Sequence, residues 1–192
     1  MAVNAQQVLV GSPDQMTTGA VLCAPLGTTM PTSALATLTG FTDAGYVSSD
    51  GLTLAPDYSP TNITEWGGST VRTILESFTG EISWTFIQTG ENELKLLFGE
   101  DYVTATAANN LHGAQLEVHL GAHLPANQMF AFKMKDGENR ILIVAPNAQI
   151  VPDGDMSFTN TDPVSWGCKI TCQPDSSGES IYIFTDDGQI ES

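Results

Sequence analysis

The sequence predicts a mainly β protein: a β-sandwich or barrel-like body with one short flanking α-helix, an extended N-terminal arm and a long loop. Three observations carry that prediction. Most patterned segments have a hydrophobic period of two, as where Ile82, Trp84 and Phe86 alternate with Glu81, Ser83 and Thr85, or Phe130, Phe132 and Met134 with Ala131, Lys133 and Lys135. The period turns helical after Thr89, where Leu94, Leu97 and Phe98 share a face. Turn signals recur between the patterned segments, Asp136-Gly137 being the clearest, and the count comes to about eight to ten strands.

Residues 1–40 are rich in Ala, Thr, Gly and Pro, with one short apolar piece from Ala20 to Ala24, and read as an extended arm. Pro31 disfavours helix for the residue before it. Residues 41–192 read as a single β domain that opens with a long loop over 41–68. That loop carries turn signals at Asp50-Gly51, Pro56 and Ser59-Pro60, with short β-like pieces at Leu52–Leu54 and Ile63–Trp66. Its Tyr46, Tyr58 and Trp66 argue against disorder, because aromatic residues in a long loop pack on something, and a neighbouring subunit could supply the surface. Val71 to Phe78 is apolar on both faces, which predicts a strand covered on both sides, and Thr79-Gly80 then reads as a hairpin turn into Glu81–Phe86.

The helix follows, with Thr89 as its expected N-cap, Glu91 and Glu93 in the first turn, Glu91 four residues ahead of Lys95, and Gly99 as the stop. About nine residues cannot hold a helix in water, so it must pack on the sheet. Asp101 to Asn110 reads as a polar loop. Gln115 to Leu120 alternates, placing Leu116, Val118 and Leu120 inward. The strand after Asp136-Gly137 runs from Asn139 to Ala145, and its unbroken Ile141-Leu142-Ile143-Val144 implies cover on both faces. Val164 to Cys172 puts Trp166, Cys168, Ile170 and Cys172 on one face, and Ile181 to Phe184 is the last strand.

Charge narrows the function. Six Lys and Arg stand against 22 Asp and Glu, a formal charge of −16, and the six cations are scattered, which argues against a nucleic-acid-binding surface. The N-terminus lacks the basic start and apolar core of a secretory signal, and no apolar run approaches the ~18 residues of a membrane span. The expectation is a soluble chain made in a cytoplasm, with no membrane anchor. Of the three cysteines, Cys168 and Cys172 lie ~13 Å apart along one strand, too far for a disulfide or a shared zinc, so all three are expected as buried thiols.

Candidate chemistry is sparse. His119 and His123 have the spacing of a helical zinc motif but lack its Glu and sit on a strand running into Gly121, so they read as surface histidines. Asp153-Gly154-Asp155 resembles the start of a calcium loop, but Phe158 stands where Gly is needed and Val164 where Glu is needed. No nucleophile, phosphate-loop or dinucleotide motif is present. The expected catalytic residues, metal sites and cofactors are therefore none.

Pro31-Thr32, the run Gly45-Tyr46-Val47-Ser48-Ser49-Asp50-Gly51, Trp66-Gly67-Gly68 with Val71-Arg72, and the helix Leu94-Lys95-Leu96-Leu97-Phe98-Gly99 together resemble the major tail tube proteins of long, non-contractile-tailed bacteriophages, those infecting actinobacteria above all. The resemblance covers roughly residues 20 to 100. It implies a β-sandwich-like subunit whose copies form rings of six, join inner strands into a continuous barrel and stack into the tube that conducts the genome. It also implies partners: further copies of the chain, the tape measure protein inside the tube, and the tail terminator and distal tail or baseplate proteins at its ends. DNA would pass without specific binding. Tyr46, Asp50, Tyr58 and Trp66 are the residues expected at contacts between subunits or rings. The rival class is an immunoglobulin-like or carbohydrate-binding sandwich, displayed on a virion or secreted, with Trp66 and Tyr58 as ligand platforms.

Overall fold

The computed structural model describes residues 8–14 and 20–189. Part of the expected N-terminal arm, residues 1–7 and 15–19, lies outside the described residues. The elements are β1 (Val21–Pro25), β2 (Thr42–Asp43), β3 (Val47–Thr64), β4 (Thr70–Phe86), α1 (Glu91–Phe98), a short 3-10 turn (Glu100–Tyr102), β5 (Val103–Thr106), β6 (Gln115–Val118), β7 (Gln128–Asp136), β8 (Asn139–Pro152), β9 (Trp166–Cys172) and β10 (Tyr182–Asp186). The mainly β class with one helix is as the hydrophobic periods predict.

One antiparallel sheet of eight strands holds most of the chain, in the order β2-β1-β7-β8-β9-β4-β3 with β10 added to β8, while β5 and β6 pair separately. β8 is the centre. β7 runs along one side of it from Asp136↔Asn139 to Gln128↔Ala148, and the other side is shared, β10 taking Arg140 to Val144 and β9 taking Ala148 to Pro152. The β7–β8 reversal is the expected one, with Gly137 at φ 59° and no non-glycine residue at positive φ, which suits a turn that needs a left-handed residue only at its first position.

Alternation along the central strands gives the sheet two buried faces. Val21, Phe130, Phe132, Ile143, Ala145 and Ile150 look to one side, where they meet Ile82, Trp84, Phe86 and the helix residues Leu94, Leu97 and Phe98. Leu22, Ala24, Met129, Ala131, Leu142 and Val144 look to the other, covered by Met30, Ala34, Leu38 and Phe41 and by Tyr182 and Phe184 of β10. Ile141–Val144 is thus covered on both faces, as its unbroken apolar run predicts. On the first face Trp84 packs its ring 5.2 Å from Phe132, 5.7 Å from Phe86 and 5.9 Å from Phe130, tilted or edge-on arrangements that contribute about 0.5–1.5 kcal/mol each beyond area burial.

α1 packs on β8, β5 and β6. Glu91 pairs with Lys95 at 2.7 Å, and Gly99, at φ 101°, ends the helix by donating its N–H to the Lys95 carbonyl. The N-cap is Gly90 rather than Thr89. Thr89 is engaged elsewhere, its Oγ1 accepting from Trp166 Nε1 at 3.0 Å, so the hydroxyl ties β9 to the helix entry instead of closing the first turn.

Several expectations are corrected. Residues 41–68 are not a loop: β3 is an 18-residue strand paired with β4 from Val47↔Phe86 to Thr64↔Thr70. Its turn-forming residues are absorbed by irregularities, since Ser48–Gly51 bulges out between Val47 and Leu52 with Gly51 at φ 70°, and the register shifts again between Ser59 and Pro60. Pro56 and Pro60 survive there because an edge strand leaves one side unpaired. Thr79-Gly80 is not a turn but lies mid-strand, opposite Asp57 and Pro56. Gly80 is small because Ile181 closes over it, a Cβ there coming within 2.5 Å of Ile181 Cδ1. The reversal lies at Glu65–Ser69, where the Glu65 N–H donates to Ser69 O and the Gly68 N–H to Glu65 O, each at 2.9 Å.

The remaining corrections concern the flanks. The expected arm contains β1, which pairs with β7 over its whole length. Asp101–Asn110 contains β5, Leu116 is exposed rather than inward because β6 has β5 as its only strand partner among the described residues, and Leu120, past the end of β6, is exposed as well. Val71 to Phe78 is not covered: Val71 is 63% and Leu75 55% exposed, because β9 pairs with β4 only from Gly80 to Phe86.

Candidate assembly surface

Past Gly80 the β3–β4 hairpin leaves the sheet. From there to Thr70 β4 has β3 as its only partner among the described residues, a two-stranded ribbon of about ten residues that reaches about 30 Å at ~3.3 Å per residue. Tyr58 packs across it against Phe78, the rings tilted with centroids 4.8 Å apart, yet remains 60% exposed, and Trp66 in the terminal turn is 105% exposed. Ile63, Val71 and Leu75 add further exposed apolar surface. A lone two-stranded ribbon is marginal in water, and large apolar side chains left exposed along it mark an interaction surface.

At the opposite end of β3 lies a groove of about 730 Å³. Its apolar lining is Val21, Val47, Leu52, Met134 and Ile143, and the Ser48–Gly51 bulge and residues 11–13 complete it. The 11–13 segment is held by a Pro13↔Met134 bridge and by the Lys135 N–H donating to Ser12 O at 2.8 Å. Tyr46 and Asp50 belong to the same lining; Asp50 has only a long 3.4 Å contact to the Ser48 hydroxyl, which leaves its carboxylate exposed. The four residues expected at contacts thus separate into two pairs, Tyr46 with Asp50 at the groove and Tyr58 with Trp66 on the ribbon.

Sequence reasoning missed the groove itself and Arg72, which stands opposite Ile63 on the ribbon and makes no ion pair among the described residues. Other cations are engaged: Lys95 with Glu91, Lys133 with Asp14 at 3.7 Å, Lys169 with Glu81 at 3.2 Å. Arg72 was legible as one of only six cations, six residues from Trp66.

Away from these surfaces the titratable groups with shifted ionisation sit in the body of the fold. Burial pushes the Cys23 thiol up to about 11 and Cys172 to about 12, with nearby Asp43 and Glu81 adding to it, and raises Cys168 further still. All three are free thiols, Cys168 and Cys172 buried and Cys23 partly so. Asp175 is held below the ordinary carboxylate range by a hydrogen bond from Tyr182 Oη at 2.8 Å and by backbone N–H donors of its own turn. His123 stacks on Tyr102 at 3.4 Å and His119 lies 3.3 Å from Glu117; among the described residues no group of three or more His, Cys, Asp or Glu is placed to hold a metal. No helix among the described residues is long and apolar enough to cross a membrane.

Comparison with known proteins completes the picture. A family model described as phage tail tube protein matches residues 1–190. No curated protein matches the chain. Among solved structures, the anti-feeding prophage cap (a tube terminating cap, determined by cryo-EM) is similar over 97% of this chain and 100% of its own, at 12% identity and a TM-score of 0.44. The family match spans nearly every residue. It assigns a structural role in the virion tail, with self-assembly into a tube and association with other tail components, and points away from catalysis. This chain belongs to the phage tail tube protein family.

Proposed function

We propose that the chain closes into rings, six copies to a ring, that stack into the tube of a long, non-contractile tail and conduct double-stranded DNA during ejection. The observation that carries this reading is the unfinished sheet: among the described residues, β3 leaves an 18-residue edge free, and half of its hairpin with β4 has no third strand and no covering layer. Such an edge is a liability in an isolated subunit, and closing a ring of identical copies pairs it. Tyr46, Asp50, Tyr58 and Trp66 serve as contacts between subunits or rings, on a body formed by 41–192 together with β1.

A net charge of −16 suits a bore that repels phosphate, so DNA passes without specific binding. The tape measure protein would occupy the tube before the genome does, with the tail terminator and distal tail or baseplate proteins at its ends, and assembly would take place in the host cytoplasm. Negative-stain microscopy of the purified protein tests the reading: rings or tubes are expected, whereas particles that stay single copies at high concentration and high salt overturn it. Glycan binding by such single copies would support the sandwich-module alternative.

A further inference from the structure

Within the reading of a self-assembling tube subunit, on which this inference rests, the ribbon tip and the groove lie at opposite ends of the β3 strand. We propose that Trp66 of one copy seats in the groove beside the Ser48–Gly51 bulge of a second copy, with Arg72 facing Asp50. Each half lacks something that the other supplies. Trp66 is an indole without any cover, its side chain one of those that bury 150–250 Å² when seated. The groove, at about 730 Å³, is of the size that accepts a bulky side chain together with its neighbours, and its apolar lining has polar groups in Ser48, Ser49 and Asp50 that can accept from an indole N–H.

Charge points the same way. In a chain of −16, two acidic surfaces brought together repel, and Arg72 is the ribbon's own cation, free of any ion pair among the described residues. Asp50 meets it with an exposed carboxylate. Of the ribbon's acids, Glu65 lies close over Gly67, its Oε1 3.4 Å from where a Cβ there would stand.

Topology then decides what the contact builds. Knob and hole lie at the two ends of one extended strand, 17 residues from Ser49 to Trp66, at most about 55 Å at ~3.3 Å per residue, so a tip cannot fold back into its own groove. The contact is therefore head-to-tail. Every added copy buries one tip and presents another, so the contact joins one ring to the next and extends the stack along the hairpin, with an axial repeat no longer than about 55 Å.

Two variants test the pairing. Trp66→Ala removes the knob, and Ser49→Trp, at an exposed position, blocks the hole. Each, checked for an unchanged circular dichroism spectrum and melting transition, is expected to lose long polymers under conditions where the unmodified chain makes them. An equimolar mixture is expected to join units in pairs and stop, since the intact tip of one enters the intact groove of the other while the remaining ends are disabled. In preformed polymers of the Ser49→Cys/Gly67→Cys double variant carrying Cys23→Ser, oxidation should give a covalent ladder, the two remaining native thiols, Cys168 and Cys172, being kept out of reaction by burial. Normal polymers from Trp66→Ala, or no ladder from the cysteine pair, overturn the pairing and leave the tube reading standing. An unmodified chain that never polymerises is instead the failure of the tube reading.

Discussion

The Glu93 carboxylate packs against the α-carbon of Gly45, so closely that a Cβ at Gly45 would collide with its Oε1, Cγ and Cδ. Glu93 is 4% exposed, and Gly45 has φ 104°, so the helix docks a buried acid over the connection between β2 and β3. Gly45→Ala adds a steric clash to a left-handed backbone and is expected to cost about 2–4 kcal/mol. Gly51→Ala, at φ 70° with nothing within 4 Å of a new Cβ, carries the backbone part alone, about 1–2 kcal/mol. Urea midpoints of the two variants compare them directly, and equal losses would show that the Glu93 contact adds nothing.

Trp84 Nε1 is a buried donor without a hydrogen-bond partner. Trp84→Phe removes that unmet donor along with part of the ring, so the lost packing is offset by the lost desolvation cost. The expected destabilisation is under about 1.5 kcal/mol, against about 3–5 kcal/mol for Phe130→Ala, which only opens a cavity in the same cluster. Equilibrium denaturation of both variants measures the difference.

The thiols predict an alkaline limit to stability. Folding holds Cys23 and Cys172 protonated up to about 11 and about 12, while in the unfolded chain they ionise from their ordinary value of 9.0. Between those values the unfolded state binds fewer protons than the folded one, so stability falls as pH rises from about 9. Thermal melts taken between neutral pH and about 11 should show a decline that flattens in a variant with all three cysteines replaced by alanine.

Shortening the ribbon separates folding from assembly. Replacing residues 59–77 by Asn-Gly joins Tyr58 to Phe78, which already face each other, through a favoured two-residue turn. Since Leu52 and Leu54 are the β3 residues packed on the core partly from below that cut, with Val47, the melting temperature is expected to change by only a few degrees while polymerisation is lost. Calorimetry and electron microscopy of the same sample check both halves.

Salt should favour the polymer. Copies of a chain at −16 repel, and raising ionic strength from about 0.1 M to about 1 M cuts the screening length from ~10 to ~3 Å. The polymer fraction at fixed concentration is expected to rise over that range by light scattering or sedimentation. A fraction that falls throughout would mean that ion pairs such as Arg72 with Asp50 outweigh the net repulsion.

Strands with a clean period of two were legible, β7, β8, β9 and the inner half of β4, because each has a core to alternate against. The helix was legible from its charges and its glycine stop. β3 was not, since an edge strand tolerates Pro56, Pro60 and a bulge that locally mimic loop chemistry, and its outer half has no core to impose alternation. Thr79-Gly80 misled for a related reason, a glycine kept for Ile181 looking the same in sequence as one kept for a turn. Tyr46, Asp50, Tyr58 and Trp66 stood out as large or charged residues among small ones, but the groove draws on segments more than a hundred residues apart, and no local pattern records that juxtaposition.

The pairing of β1 with β7 has a bearing on how a subunit comes into being. Val21 meets Phe132 across more than a hundred intervening residues, so well over half of the chain must be synthesised before β1, which until then has only the short β2 beside it, gains its long partner. Topologies dominated by such distant pairings fold in milliseconds to seconds, long enough for half-made sheets to encounter one another. The surplus of carboxylates then acts as a safeguard during biogenesis, holding nascent copies apart until each has completed its own interior.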